Sequence, residues 1–450
     1  MPDSPNADSS PPPPVGFWEA FAFWLKLGFI SFGGPAGQIA IMHQELVERR
    51  RWISERRFLH ALNYCMVLPG PEAQQLAIYI GWLMHRALGG VVAGTLFVLP
   101  SLFILIALSW AYIAYGDLPI IAGLFYGIKP AVTAIVFQAA HRIGARALKN
   151  KYLWGIAMAS FLAIFVANIP FPAIITVAAL MGYLGGKYFP DKFSIGGGHS
   201  SAAKSFGTAL IDDHTPAPEH ARFSWWRLSK VITSGLLLWA IPIALLIAWF
   251  GLNGVYTQMG LFFTKAALLT FGGAYAVLPY VFQGAVEHYG WLSATQMIDG
   301  LALGETTPGP LIMVVAFVGF IGGYLKEVFG PDTLFLAGAI AASIVTWFTF
   351  LPSFVFILLG GPLVESTHGN LKFTAPLTAI TAAVVGVILD LALFFGYHVL
   401  WPTGFQGRFD SASGIIAVAA FIALFRFKAN VMQVIGICAL VGLLLKMLAL

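Results

Sequence analysis

Charge is scarce in this chain. Asp, Glu, Lys and Arg together make up 10% of its 450 residues, where a soluble globular protein carries about 25%. Cysteine is nearly absent as well. Cys65 and Cys438 are the two present; both sit in apolar runs and form no disulfide or metal spacing, so they read as small core hydrophobes. The N-terminal stretch "MPDSPNADSSPPPP" lacks the basic start and cleavage site of a signal peptide and reads as a disordered tail over 1–14. GxSxG, HExxH and phosphate-loop patterns are missing, and no nucleophile–base pair stands out, so nothing points to an enzyme. Lys and Arg are dispersed among apolar runs, which leaves nucleic-acid binding without support.

What is abundant is apolar surface. Hydrophobic residues make up 58% of the chain and the mean hydropathy is +0.81. Repeated runs near the ~20 residues needed to cross a bilayer predict an all-α polytopic membrane protein. The net charge of +5 follows from Lys and Arg gathering in cytoplasmic loops.

Proline pairs and glycine pairs interrupt these runs at matching places. Pro69-Gly70-Pro71 recurs as Pro308-Gly309-Pro310, an offset of 239 that also carries Phe32-Gly33-Gly34 onto Phe271-Gly272-Gly273. Lys26 falls on Lys265, Gln44 on Gln283, Glu48 on Glu287, Trp52 on Trp291 and Ser54 on Ser293. Later the offset becomes 252 and aligns Pro100-Ser101 with Pro352-Ser353. The chain therefore reads as two repeats, 15–187 and 256–450, of the kind found in transporters. A polar linker, 188–230, and an unpaired helix, 231–255, separate them. Asp212, Asp213, His214 and His220 in the linker match no metal-ligand pattern, and the segment reads as a solvated tether.

Loop charge orients the spans. The basic run 141–151, the linker and the Arg426–Lys428 loop are assigned to the cytoplasm, and the stretches around Asp117, Asn168 and Asn253 to the outside. "ELVERRRWISERR", 45–57, holds five arginines and belongs inside; its counterpart "GAVEHYGWLSATQ" holds none. The repeats are then inverted, as the single crossing of the lone helix requires. Ala87–Tyr115 must run from inside to outside, so 58–86 enters and leaves on one side with Pro-Gly-Pro at its middle. By the same reasoning 17–43, 257–283 and 297–325 are re-entrant hairpins, with kinked spanning helices as the alternative. Unwound backbone at membrane depth survives when buried in protein or lining a cavity.

Such breaks suit an anion. A half-helix end offers unpaired N–H groups and the positive end of its dipole. Candidate binding residues are Lys26, Phe32, Gly33, Gly34, Pro69, Gly70, Pro71, Gln74, Gln75, Lys265, Phe271, Gly272, Gly273, Thr306, Thr307, Pro308, Gly309 and Pro310. The glycines allow close backbone approach, Pro71 and Pro310 suit helix starts, and the threonines and glutamines can donate to oxyanion oxygens. The two lysines add mobile charge unless they snorkel to an interface. Glu72 and Glu305 flank the Pro-Gly-Pro motifs as candidate proton-coupling carboxyls, because burial favours the neutral form. Asp299, His60, Lys129 and Asp390 are weaker candidates. No metal or other cofactor is implied.

The stretches "FGGPAGQIAIMHQELVERRRWISERRFLHALNYCMVLPGPEAQQLAIYIGW" and "FGGAYAVLPYVFQGAVEHYGWLSATQMIDGLALGETTPGP" resemble the chromate ion transporter family in its long two-domain form. The match covers the start of each half; later parts agree only in hydropathy and small-residue runs. The resemblance implies a secondary transporter in the bacterial inner membrane. It would export chromate, with sulfate as analogue, driven by the proton-motive force. The partners it implies are that oxyanion, protons and the lipid bilayer; a homodimer is allowed. A carrier or channel for another anion, or a membrane-embedded enzyme or lipid-handling protein, stays open on the residues alone.

Opposite placement of the two repeat loops has a direct measure. Single cysteines at Arg50 and Tyr289 should react with an impermeant reagent from opposite sides of the membrane; labelling from one side would remove the inversion.

Overall fold

The computed structural model describes residues 12–32, 34–193, 206–213, 215–216, 218–366 and 374–448. Among these the chain is helical, with 17 α-helices and six of them long and apolar enough to cross a membrane. It is a multi-pass membrane protein. The first half runs through α1 (Phe17–Ile30), α2 (Gly34–His43), α3 (Glu55–Cys65), α4 (Glu72–Tyr115), α5 (Pro119–Ala147), α6 (Lys151–Phe165) and α7 (Phe171–Tyr188). A short turn, α8 (Pro190–Phe193), and the long α9 (Trp225–Phe250) follow. The second half holds α10 (Val255–Leu269), α11 (Ala274–Phe282), α12 (Ala294–Thr306), α13 (Val314–Leu325), α14 (Leu334–Ser366), α15 (Thr374–Leu400), α16 (Ser411–Phe425) and α17 (Val431–Leu448).

Local geometry repeats at the sequence offset of 239. Gln44–Arg49 and Gln283–His288 both form a π-helical turn. Behind each turn a tryptophan N–H closes the loop, Trp52 to the Leu46 carbonyl and Trp291 to that of Ala285, both at 2.8 Å. Ser54 and Ser293 then cap α3 and α12 by accepting the N–H of the third residue along. These caps stop the loop and restart the helix, as serine at this position does.

The helices before each break are short. The first three hold 14, 10 and 11 residues, and α10 to α13 hold 15, 9, 13 and 12. At 1.5 Å per residue none reaches the roughly 30 Å of a hydrocarbon core alone. α4 is really two helices, since His85 and Arg86 leave helical geometry and Arg86 takes φ 57°. Its first part folds back on the second through small residues. A Cβ on Gly81 would lie 2.5 Å from the Gly89 carbonyl and 2.7 Å from the Ala93 methyl. In the second half α13 turns back on α14 in the same way, with Gly319 against Ala341 and Val345. Small residues let antiparallel helices approach closely where lipid supplies no hydrophobic drive.

Contacts sort the short helices by end. His85 meets the Val15 carbonyl at 2.9 Å, Arg50 reaches Glu19 at 3.9 Å, and His220 meets the Trp82 carbonyl at 2.8 Å. The second part of α4, from residue 87 to 115, then carries the chain about 42 Å away. There Trp110 packs on Phe335, Tyr256 donates to the Ala337 carbonyl at 2.8 Å, and Phe250 and Phe329 flank Tyr256.

Three expectations change. Residues 206–213 are not a free tether: Ile211 pairs with Ile53 in a parallel bridge, the Ser54 hydroxyl donates to Asp213, and Arg57 donates to the Thr215 carbonyl. Ala209, Ile211 and Ala221 are buried by that docking. Hydrophobic residues dispersed among Gly, Ser and Asp gave too weak a pattern to mark it. His214 lies outside the described residues. The basic run 141–151 begins as helix rather than loop, since α5 continues to Ala147, and α9 starts at Trp225, ahead of Val231.

The fold-back of α4 depends on the absence of side chains at its crossing. Gly81→Leu should cost at least about 1–3 kcal/mol by overpacking and lower the melting temperature in detergent. Gly155→Leu, where a Cβ meets nothing within 4 Å, should leave it unchanged. Equal melting of both variants would contradict the packing described.

Candidate anion site at the helix breaks

Each half ends its first short helix in the same turn. Ser31 has φ −80° and ψ 77°, and Thr270 has φ −79° and ψ 75°. In both, the next phenylalanine N–H reaches back two residues, Phe32 to Ile30 at 3.0 Å and Phe271 to Leu269 at 2.9 Å. This inverse γ-turn turns a carbonyl out of the helix, and the opposite half takes it. Gly309 N–H donates to the Ser31 carbonyl and Gly70 N–H to the Thr270 carbonyl, both at 2.8 Å.

The exchange extends to side chains. A Cβ on Gly70 would sit 2.6 Å from the Ser353 hydroxyl, and one on Gly309 would sit 2.7 Å from the Ser101 Cβ. Gly70 has φ 127° and Gly309 φ 102°, a region that disfavours any residue with a Cβ. The four breaks thus form one junction, with each Pro-Gly-Pro held by the other repeat.

Polar side chains crowd this junction with their bonding incomplete. Gln38 donates to the Gly309 carbonyl and to that of Ser31, and Gln75 donates to the Pro69 carbonyl at 2.8 Å and the Ser353 hydroxyl at 3.4 Å. The Gln38 and Gln75 side-chain oxygens, the Ser31 and Ser101 hydroxyls, and both ends of Gln74 have no partner although buried. Gln74 is 0% exposed. An unpaired buried polar group costs roughly 1–3 kcal/mol, so a cluster of them calls for a ligand, a water or a change of conformation.

Beside the junction a pocket is lined by Gly34, Gln138, Arg142, Tyr275 and Glu305, with Val431 and Met432 at its rim. Gly34 opens α2, so that helix presents its N-terminal end here. Tyr275, in the first turn of α11, donates to the Glu305 carboxylate, and both side chains are buried. Arg142 is exposed, and its charge reaches both Tyr275 and Glu305. Arg146 stands one turn further along α5, on the same helix face as Arg142.

Other candidates fall elsewhere. Lys26 and Lys265 are exposed and do not line the pocket, and Phe32 is exposed while Phe271 is half-buried. Gly33 lies outside the described residues. Gly272 has φ 80°, with Thr381 no nearer than 3.6 Å to a built Cβ, and Gly273 has nothing within 4 Å. A side chain at either meets backbone strain rather than crowding, and the space beside Gly34 is equally open. Pro71 caps α4, and Pro310 caps a short 3-10 turn, Leu311–Met313. Pro308 is buried. The Thr306 and Thr307 hydroxyls donate to carbonyls of their own helix, which leaves them acceptors only. Asp390 is half-buried and outside the pocket. Arg142 and Arg146 escaped sequence reasoning because a basic run after an apolar segment reads first as a topology signal. Their spacing of four, which puts both on one helix face, was the available clue.

The chromate transporter family profile matches residues 18–183 and again 257–443. The chain is 33% identical over 438 residues to a chromate transport protein of Pseudomonas aeruginosa, covering 96% of this chain and 93% of the relative. It is 28% identical over 425 residues to a chromate transport protein of Cupriavidus metallidurans, at 94% and 91% coverage. An uncharacterized transporter of Methanocaldococcus jannaschii shares 24% over 425 residues, at 94% and 93% coverage. No solved structure matches.

Gln74 separates a binding role from a packing role. Gln74→Leu removes two unpaired buried groups, so the melting temperature should hold or rise, while anion transport falls at least tenfold. A lower melting temperature with transport intact would assign Gln74 to packing.

Proposed function

Because the chain belongs to the chromate transporter family, we propose that it is a secondary active transporter exporting chromate across the bacterial inner membrane. Sulfate is the analogue it accepts, and protons moving inward drive it. The observation that carries this reading is the convergence of Arg142, Tyr275, Glu305 and the start of α2 in one pocket beside the junction. A tetrahedral dianion needs fixed positive charge and N–H or O–H donors, and the pocket supplies a guanidinium, a phenol and a helix N-terminus.

Glu305 is the regulator in this scheme. While ionised it competes with the dianion for Arg142; once protonated it leaves Arg142 to the substrate. Glu72, beside the first Pro-Gly-Pro, and Arg146 take the corresponding roles in this scheme.

The repeats are inverted in this reading. The short helices of the first half open to the cytoplasm, where the arginine loop lies, and those of the second half open outside. Their meeting at the junction, through Gly309 to Ser31 and Gly70 to Thr270, supports a single central site reached from either end in turn. Proton coupling then requires that proton and anion favour different access states, since only differential affinity shifts a conformational equilibrium.

Inside-out vesicles under an imposed pH gradient test the reading. Labelled chromate should accumulate, and unlabelled sulfate should compete. Arg142→Gln should lower accumulation at least tenfold, and Arg142→Lys should recover part of it, since lysine keeps the charge but not the planar fork. Glu305→Gln should still bind chromate but lose the gradient dependence, with Glu72→Gln as the rival variant. Accumulation no greater than in vesicles lacking the protein would overturn the assignment. Gradient-driven transport persisting in both carboxyl variants would remove the carboxyl exchange.

A further inference from the structure

Away from the pocket, α12 carries a second buried acid. Asp299 is 2% exposed. Its Oδ2 accepts the Tyr112 hydroxyl at 2.8 Å and lies 3.4 Å from the Lys129 ammonium, while its Oδ1 is buried without a partner. Lys129 belongs to α5 and Tyr112 to α4, both in the first half; Asp299 belongs to the second. The cluster therefore ties the two halves together near the end where Trp110 meets Phe335.

The repeat does not reproduce this cluster. At the equivalent positions of the other half stand His60, Val364 and Thr381, and among the described residues His60 meets the Val364 carbonyl at 3.4 Å. That end has its own tie, Arg57 to Glu365 at 3.6 Å with the Tyr79 hydroxyl on the same carboxylate. Arg57 keeps its proton at any working pH and is also held by the Thr215 carbonyl. Two ends built alike in backbone thus differ in their titratable groups, which a device with a direction requires.

We propose that the Asp299–Lys129 pair is the site where a proton from the outer side binds and releases α12 from the first half. The inference rests on the proton-coupled reading above and adds the place of entry. Lys129, with 26% of its side chain exposed, is the member of the pair through which the proton enters in this scheme. The proton binds at Oδ1, the oxygen with no partner, and turns the carboxylate into a neutral acid. No covalent bond other than O–H forms; the ammonium stays charged and loses its counter-ion. α12 then has one tie fewer to α5. Asp299 and Glu305 lie six residues apart on that helix, roughly 9 Å along its axis. Release at Asp299 therefore bears on Glu305, on Gly309 and on its bond to the Ser31 carbonyl. The proton leaves from the opposite access state, restoring the pair. The charged and titratable groups that face Asp299 are Lys129 and Tyr112, with Asp117 acting on Tyr112 in turn.

The double variant Asp299→Asn/Lys129→Gln removes both charges together and leaves neither stranded. In proteoliposomes it should exchange labelled for unlabelled chromate within about twofold of the parent. Accumulation driven by a pH gradient should fall at least tenfold. Asp299→Glu should recover accumulation with a displaced pH profile. Parental accumulation in the double variant overturns the proposal while leaving transport coupled elsewhere. A parent that shows no gradient dependence overturns the coupled reading and this site with it. Should the double variant fail to fold, Tyr112→Phe keeps both charges and removes one hydrogen bond. It should shift the pH of half-maximal accumulation, and an unshifted profile overturns the proposal.

Discussion

Four unwound backbone segments meeting inside an apolar body create the constraint that organises this molecule. A free N–H or carbonyl in hydrocarbon costs several kcal/mol, so each break must find a partner. The partner is the other repeat's break: Gly309 gives its N–H to Ser31, and Gly70 gives its own to Thr270. Neither half satisfies its own Pro-Gly-Pro turn here; each uses the other repeat's break. The same reciprocity fixes Ser101 and Ser353 against the opposing glycines, where a methyl group would already collide.

Satisfying the backbone leaves the side chains around it unsatisfied. Gln38 and Gln75 spend their amide N–H groups on carbonyls at the breaks, and their oxygens, with Gln74 and two serines, remain unpaired. A protein selected for stability alone would fill this volume with leucine or methionine. The cluster is better understood as stability given up for a polar interior where the two repeats meet. The pocket next to it adds the charge the cluster lacks, through Arg142 and the start of α2.

Symmetry and its failure divide the labour. The γ-turns, π-helical segments and serine caps recur in both halves, so the two repeats share their local backbone geometry. The titratable groups of the pocket and of α12 do not recur: Glu305 answers to Met66, Glu72 to Leu311, Asp299 to His60 and Arg142 to Phe394. Two repeats of like backbone and unlike charge need not respond alike to protonation, and the proposed coupling draws on that difference.

Much of this was legible in the chain itself. Charge scarcity and apolar runs determined a helical membrane protein, and the offsets of 239 and 252 determined which segments correspond, because both are one-dimensional properties. The Pro-Gly-Pro and Phe-Gly-Gly motifs marked the breaks, since proline and glycine act on the backbone locally. The sequence could not reveal which break partners which, because hydrogen bonds such as Gly70 to Thr270 join residues far apart that carry no side-chain signature. Nor could it lift Arg142 out of a run that reads as a cytoplasmic loop, or show that Ile211 docks on Ile53. Those depend on where a helix ends and what packs beside it. Tertiary structure decided them, by bringing distant groups within the few ångströms over which hydrogen bonds and ion pairs act.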